Sequence, residues 1–213
     1  PFQVNEKIKL AKTHRVKRKV FEEKFTSKMI KDVKTSSDGK WIIFTSLGHI
    51  YKKELPNGTP KRITNLTDFE AEPTFSPDGK SIVFVTWNDE NLGAIYTINT
   101  DGTGLQKLTI KKGIYRTPSY DNSGTKIVYR KEGGNGDQGF DYSKKTGIYI
   151  VNTNGKSLKK IADRGEFPIF SPNNKRIFFQ SGGSFMGGLT KRLKSIDLNG
   201  KNERSHFVSK LAN

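Results

Sequence analysis

The chain contains no cysteine, which excludes disulfides and every thiolate metal site. The compartment stays open, because cytosolic and periplasmic proteins alike can dispense with cysteine. Histidine is scarce as well: His14, His49 and His206 stand far apart in the sequence. A catalytic zinc or similar ion needs clustered His and carboxylate ligands, so the three read as surface or strand histidines and no metal is placed here. Only 32% of the residues are hydrophobic, and no stretch approaches the roughly 18 uninterrupted apolar residues of a membrane helix. The N-terminus has no initiator Met and no signal-peptide pattern, so a processed product or a piece of a longer polypeptide is expected. Acidic residues are outnumbered, 21 Asp and Glu against 38 Lys and Arg, giving a formal net charge of +17. Residues 1–34 alone hold 11 basic against 4 acidic side chains. Such a surface attracts anions or nucleic acid without any specific site, and a Lys-rich solvated surface is the simplest reading of it.

What is present is aromatic and turn-forming. Fourteen Phe, 7 Tyr and 2 Trp supply bulk for a core, and 21 Gly recur at intervals, which favours an all-β chain. The stretch Phe75-Ser76-Pro77-Asp78-Gly79-Lys80-Ser81-Ile82-Val83-Phe84 reads as strand, tight turn, strand. Pro77 presets the first turn dihedral, Asp78 can bond the backbone two residues on, and Gly79 tolerates a positive φ. Ile82, Val83 and Phe84 then form a β-favouring run. Aligned copies are Thr35 to Phe44, Tyr120 to Tyr129 and Phe170 to Phe179, whose turn positions 38, 78, 123 and 173 are separated by 40, 45 and 50 residues.

Each copy is followed by a second hairpin, with Asn57-Gly58, Asp101-Gly102, Asn154-Gly155 or Asn199-Gly200 at its tip. These are strong hairpin signals, since both central residues accept φ > 0. A fourth strand follows, as in Lys61 to Thr64, Gln106 to Thr109 and Leu158 to Ile161. Four strands per repeat of about 40–50 residues mark β-propeller blades. The expected fold is therefore all-β, with about four four-stranded antiparallel blades near residues 31–66, 67–111, 112–163 and 164–207. Residues 1–30 are expected to supply the strand or strands of a preceding or closing blade. An open arc would leave sheet edges unpaired, so the four blades are expected to belong to a larger propeller of six or more.

Phe75 to Lys80, Ile95-Tyr96 through Asp101-Gly102, and Leu108-Thr109 resemble the TolB-like, WD-repeat-like propeller blade. Phe75 through Trp87 with Gly93, Arg62 to Thr64, Glu70 to Pro73, and Leu193 through Gly200 are most similar to the propeller portion of TolB-like amidohydrolase-associated proteins. The resemblance spans residues 31–207. It implies a non-catalytic binding and scaffold module, a neighbouring metal-dependent C–N hydrolase domain in the same polypeptide, and a periplasmic or secreted setting. Any divalent metal would then lie in that hydrolase domain and not in this chain. Partners would be the remaining blades, that domain, or other proteins. Two other readings stand beside it: a TolB-type periplasmic protein-interaction propeller, and an electropositive nucleic-acid binder using Lys12, Arg15, Lys17, Arg18 and Lys19.

Catalytic motifs fail on inspection. Gly79-Lys80-Ser81 and Gly155-Lys156-Ser157 echo a phosphate loop but lack its first Gly and a following helix. Gly182 to Met186 misses the nucleophile elbow by its last residue. Asn135, Asp137 and Asp141 lack the spacing of a calcium loop. The turn residues Asp38, Gly39, Pro77, Asp78, Gly79, Gly124, Pro172 and Asn173 are expected to be structural. In an up-and-down blade the connections between strands two and three share one rim; here they are 45–49, 85–94, 130–147 and 180–192, lengths of 5, 10, 18 and 13 residues. Long loops on a rigid scaffold are where binding concentrates. That rim supplies the candidate contacts Trp87, Asp89, Glu90, Tyr115, Arg130, Phe140, Asp141, Tyr142 and Phe185, beside Lys131, Glu132 and Met186.

Overall fold

The computed structural model describes residues 27–135, 140–141, 144–182 and 190–209, without the side chains of Asn135, Phe140 and Asp141. The expected early strand at residues 4–12 and most of the 1–30 segment lie outside these described residues. The first sheet is β1 (Lys31–Thr35), β2 (Trp41–Ser46), β3 (His49–Glu54) and β4 (Lys61–Arg62). The second is β5 (Phe69–Phe75), β6 (Ser81–Asn88), β7 (Leu92–Asn99) and β8 (Gln106–Lys107). The third begins with β9 (Ile114–Tyr120) and β10 (Lys126–Glu132), then sends out a small hairpin, β11 (Gly134–Asn135) with β12 (Phe140–Asp141). It closes with β13 (Gly147–Asn152) and β14 (Lys159–Ala162). The fourth is β15 (Glu166–Phe170), β16 (Arg176–Ser181), β17 (Lys191–Asp197) and β18 (Arg204–Ser209). All four sheets are antiparallel meanders in chain order. Their first strands are neighbours, β1 beside β5, β5 beside β9 and β9 beside β15, so the sheets fan out as blades from one axis.

The second strand of a blade explains the unbroken apolar runs. On β6, Ile82 and Phe84 turn toward blade 1 and join Ile43, Ile50 and Phe75, while Val83 and Val85 turn toward blade 3 and join Tyr115, Tyr120, Ile127 and Tyr129. On β10, Val128 points the other way, into a third cluster with Ile148, Ile177 and Phe179. A strand buried on both faces has no polar alternation to show. Ile43, Ile82, Phe84 and Ile127 are 0% exposed, and each such side chain contributes about 1.5–3 kcal/mol by leaving water. A cross-strand aromatic pair recurs in three blades, Phe44–Tyr51, Phe84–Tyr96 and Tyr129–Tyr149, stacked at 5.9, 5.8 and 5.7 Å. In blade 4 the partner of Phe179 is Lys194.

The turn after each first strand is built from its own side chains. Ser36 and Ser76 donate their hydroxyls to Asp38 and Asp78 at 2.6 Å, and the amides of Lys40 and Lys80 donate to the same carboxylates at 3.1 Å. The hydroxyl first, then the amide, hold both Asp side chains below the ordinary carboxylate pKa. Asn173 repeats the pattern with Ser171 at 2.8 Å and the Lys175 amide at 3.1 Å. Blade 3 exchanges the roles: buried Asp121 accepts from the Ser123 hydroxyl at 2.6 Å and from the amides of Thr125 and Lys126 at 2.7 and 2.9 Å. Gly39, Gly79 and Gly124 close these turns at φ of 70°, 69° and 68°, and Asn174 does so at 56°.

Every first strand carries a bulge at the same place. Asp32, Glu72, Thr117 and Phe167 sit at φ of 52°, 53°, 51° and 51°, where a non-glycine residue is strained by about 1–3 kcal/mol. Recurrence in every blade marks these bulges as architectural. Two are held from the preceding blade: the Asp32 carboxylate accepts the Glu72 amide at 3.1 Å, and Glu72 accepts the Thr117 amide at 2.5 Å.

One sequence expectation needs correction. The strands run past their apolar cores, so the connections on the second rim are shorter than read: 47–48, 89–91, 133–146 and 182–190. Trp87 and Arg130 therefore stand on strands, because ladder pairing continues through polar residues such as Asn88 with Leu92.

Candidate docking rim

Of the nine expected contact residues, Trp87, Asp89, Glu90 and Arg130 are described on or beside the rim formed by these connections. The Trp87 indole N–H donates to Asp89 at 3.1 Å, and Asn88 bonds Asp68 at 2.9 Å, so the β6–β7 tip is ordered by its own side chains. Lys112 reaches across to the Glu90 carbonyl at 2.9 Å. Arg130 pairs with Glu132 at 3.1 Å and with Glu166 of blade 4 at 3.5 Å, and Glu166 pairs with Lys191 at 2.7 Å. This network lies along a cleft of about 760 Å³ between blades 3 and 4, also lined by Asp163, Arg164 and Gln180. Its charges neutralise one another, and its walls are polar, unlike the mostly apolar lining of small-molecule sites.

Tyr115 departs from expectation. Its ring is 5% exposed, packed edge-on against Tyr129 at 5.6 Å, with its hydroxyl donated to the Lys111 carbonyl at 2.5 Å. Burial pushes its pKa up to about 12. It supports the rim from beneath because its strand position faces the seam between blades 2 and 3. Lys131, on the same seam, is 9% exposed; its ammonium bonds the Lys144 carbonyl at 3.2 Å and sits 5.9 Å above the Tyr115 ring. Burial lowers its pKa, and nearby Lys111 and Lys145 lower it further. Phe140 and Asp141 belong to β12, and their side chains lie outside the described residues. So do Asp137, Tyr142, Phe185, Met186 and the basic stretch Lys12 to Lys19.

The opposite rim is repetitive. A hollow of about 360 Å³ between blades 2 and 3 is lined by Pro77, Asp78, Asn99 and Tyr120. Hydrogen bonds there tie blade to blade: Ser37 to the Pro77 carbonyl at 2.9 Å, and Asn122 to the Ser171 and Pro172 carbonyls at 3.0 and 2.8 Å.

Sequence reasoning missed Glu70. It is 0% exposed, accepts the Ile50 amide at 2.8 Å and the Thr64 hydroxyl at 2.5 Å, and lies 3.7 Å from Arg62 and 3.9 Å from His49. The available signal was a carboxylate at an inward position of an otherwise alternating strand. Ser195 and His206 also meet at 2.6 Å, but Ser195 is 0% exposed and its oxygen accepts from Arg176 at 2.8 Å. A hydroxyl so enclosed has no path to a substrate. Among the described residues no three His, Asp or Glu side chains are arranged to hold a metal ion, and no helix is long and apolar enough to cross a membrane.

The family model described as the TolB beta propeller domain matches residues 36–210. The chain belongs to the TolB beta propeller domain family. A curated relative, the Tol-Pal system protein TolB of Francisella tularensis subsp. mediasiatica, is 33% identical over 91 residues, taking in 43% of this TolB-family chain and 19% of the relative. The match thus spans about a fifth of that relative's length. Among solved structures, TolB from Acinetobacter baumannii superposes with a TM-score of 0.60 at 23% identity, over 83% of this chain and 43% of that one. An oligogalacturonate lyase from Vibrio parahaemolyticus superposes with a TM-score of 0.64 at 12% identity, over 84% and 53%. At these identities the superpositions speak for the propeller fold alone.

Proposed function

We propose that the chain is a protein-docking propeller module without catalysis of its own, presenting its loop rim to a partner in the bacterial envelope. One observation carries this reading: the two rims are unlike. One rim repeats a single turn whose side-chain oxygens are consumed by the local backbone. The other varies from blade to blade, with a 47–48 tip in blade 1 and an added β11–β12 hairpin in blade 3, above the buried apolar clusters of the blade seams. Varied loops on a rigid scaffold suit recognition. The Tol-Pal name of the curated relatives supports a periplasmic interaction role. The amidohydrolase-linked parent implied by the sequence is the rival reading, in which the same rim would abut a hydrolase domain.

Site-specific photo-crosslinking tests it. A crosslinking side chain is placed at position 90 on the loop rim and, separately, at position 156 on the turn rim, and exposed to an envelope extract of the source organism. Discrete adducts from position 90, reproduced with the purified partner, are the expected outcome. Adducts from position 156 alone, or none from position 90, would reject docking through the loop rim.

A further inference from the structure

We propose that the seam between blades 2 and 3 receives, at Lys131, a carboxylate side chain from an acidic segment of a protein partner. This rests on the docking reading above and supplies the partner's chemistry. Lys131 is 9% exposed, yet its ammonium has only a backbone carbonyl and a ring face for company, and it forms no ion pair with any described residue. Buried charges are ordinarily paired. The charges nearest in influence are instead alike, Lys111 and Lys145.

The arrangement is built into the framework. The Tyr115 hydroxyl holds the Lys111 carbonyl, and the Tyr149 hydroxyl holds the Lys145 carbonyl, each at 2.5 Å. Two connecting segments that carry lysines are thereby pinned within electrostatic reach of Lys131. Among the described residues the rim's acidic side chains do not pair with it: Asp89 accepts the Trp87 indole N–H and Glu132 pairs with Arg130. An incoming carboxylate would supply a negative charge there, and a slender Asp or Glu side chain suits a lysine that keeps little exposed surface. Nucleic acid fits less well. It needs exposed rings for base stacking, whereas Tyr115 and Tyr129 are 5% and 2% exposed.

The test is fluorescence anisotropy of a labelled oligoglutamate peptide with the 213-residue chain, at low and at physiological salt. Lys131→Met, which keeps the aliphatic stem, should weaken binding about tenfold or more, and Lys131→Arg should retain most of it. A control carrying both Lys156→Gln and Lys175→Gln, exposed on the opposite rim, should bind like wild type although it loses more charge. Equal binding by wild type and Lys131→Met overturns the proposal, as does an equal loss in the control or tighter Lys131-dependent binding of single-stranded DNA. If Lys131→Met does not fold, the Lys111→Gln, Lys145→Gln double variant carries the same comparison. Indifference to Lys131 alongside adducts from position 90 removes this site and leaves the docking reading. Dependence on Lys131 without any adduct does the reverse.

Discussion

Replacing Glu70 by alanine should be among the most damaging single changes in the chain. The carboxylate is fully enclosed and serves two buried donors, the Ile50 amide at 2.8 Å and the Thr64 hydroxyl at 2.5 Å. Ile50 belongs to blade 1 and Glu70 to blade 2, so the loss falls on the joint between them. Each donor stranded away from water costs about 1–3 kcal/mol, or roughly 2–6 kcal/mol together. For a chain of this size 1 kcal/mol moves Tm by about 2–4 °C, so the midpoint should fall by roughly 5–20 °C. Glu70→Gln keeps an acceptor for Ile50, and the Thr64 hydroxyl can turn to accept from the amide, so only the strengthening due to charge is lost, about 1–2 kcal/mol. Urea unfolding followed by tryptophan fluorescence should rank wild type above Gln and Gln above Ala. Hydrogen exchange at the Ile50 amide should accelerate in the alanine variant beyond the rise due to global stability. A Glu70→Ala protein within about 1 kcal/mol of wild type, or with unchanged Ile50 protection, would refute the reasoning.

Two further outcomes follow from the turns and the seams. Burial raises the Asp121 pKa, but hydrogen bonds from Ser123, Lys126 and Thr125 outweigh it and hold the group below the ordinary value. A depressed folded pKa gives stability that is present above the unfolded value of about 3.9 and lost as pH falls through the folded one. Asp121→Asn should therefore cost about 1–2 kcal/mol at neutral pH and progressively less as the pH falls below the ordinary carboxylate range; a gap in the urea curves that does not narrow on acidification would contradict this. At Gly93, an added Cβ would stand 2.7 Å from the Gly113 carbonyl oxygen and 3.0 Å from that of Thr86, where the backbones of blades 2 and 3 bridge. Gly93→Ala should cost about 1–3 kcal/mol, and an unchanged melting temperature would show that the seam yields freely.

The blades were legible because each repeats one turn whose chemistry is local. Ser76, Asp78 and Gly79 need only each other and the backbone, so their pattern survives in a string of letters. Strand ends were less legible: Asn88 and Leu92 pair in the ladder, but neither extends an apolar run. The bulges left no trace, since Asp32, Glu72, Thr117 and Phe167 share a backbone conformation and no side-chain type. Glu70 and Lys131 were opaque for another reason. Their partners come from elsewhere in the chain, Ile50 on a strand 20 residues away and Lys144 in a connection 13 residues away, and burial at a seam follows from which strands meet.

The bulge-to-bulge carboxylates also imply an order of failure. Asp32 secures the Glu72 amide and Glu72 secures Thr117, but Thr117 offers the next blade no carboxylate, and its own hydroxyl oxygen is buried without a partner. From blade 3 to blade 4 the polar fastenings move outward, to the Arg130–Glu166 pair and the Asn122 clasp at the rims. The Arg130–Glu166 pair is open to water and is weakened by salt, whereas the Glu72 bond to the Thr117 amide joins a carboxylate to a neutral donor. Among the described blades, the seam between the third and the fourth should therefore part first under force, with the first three holding longer as one cooperative block.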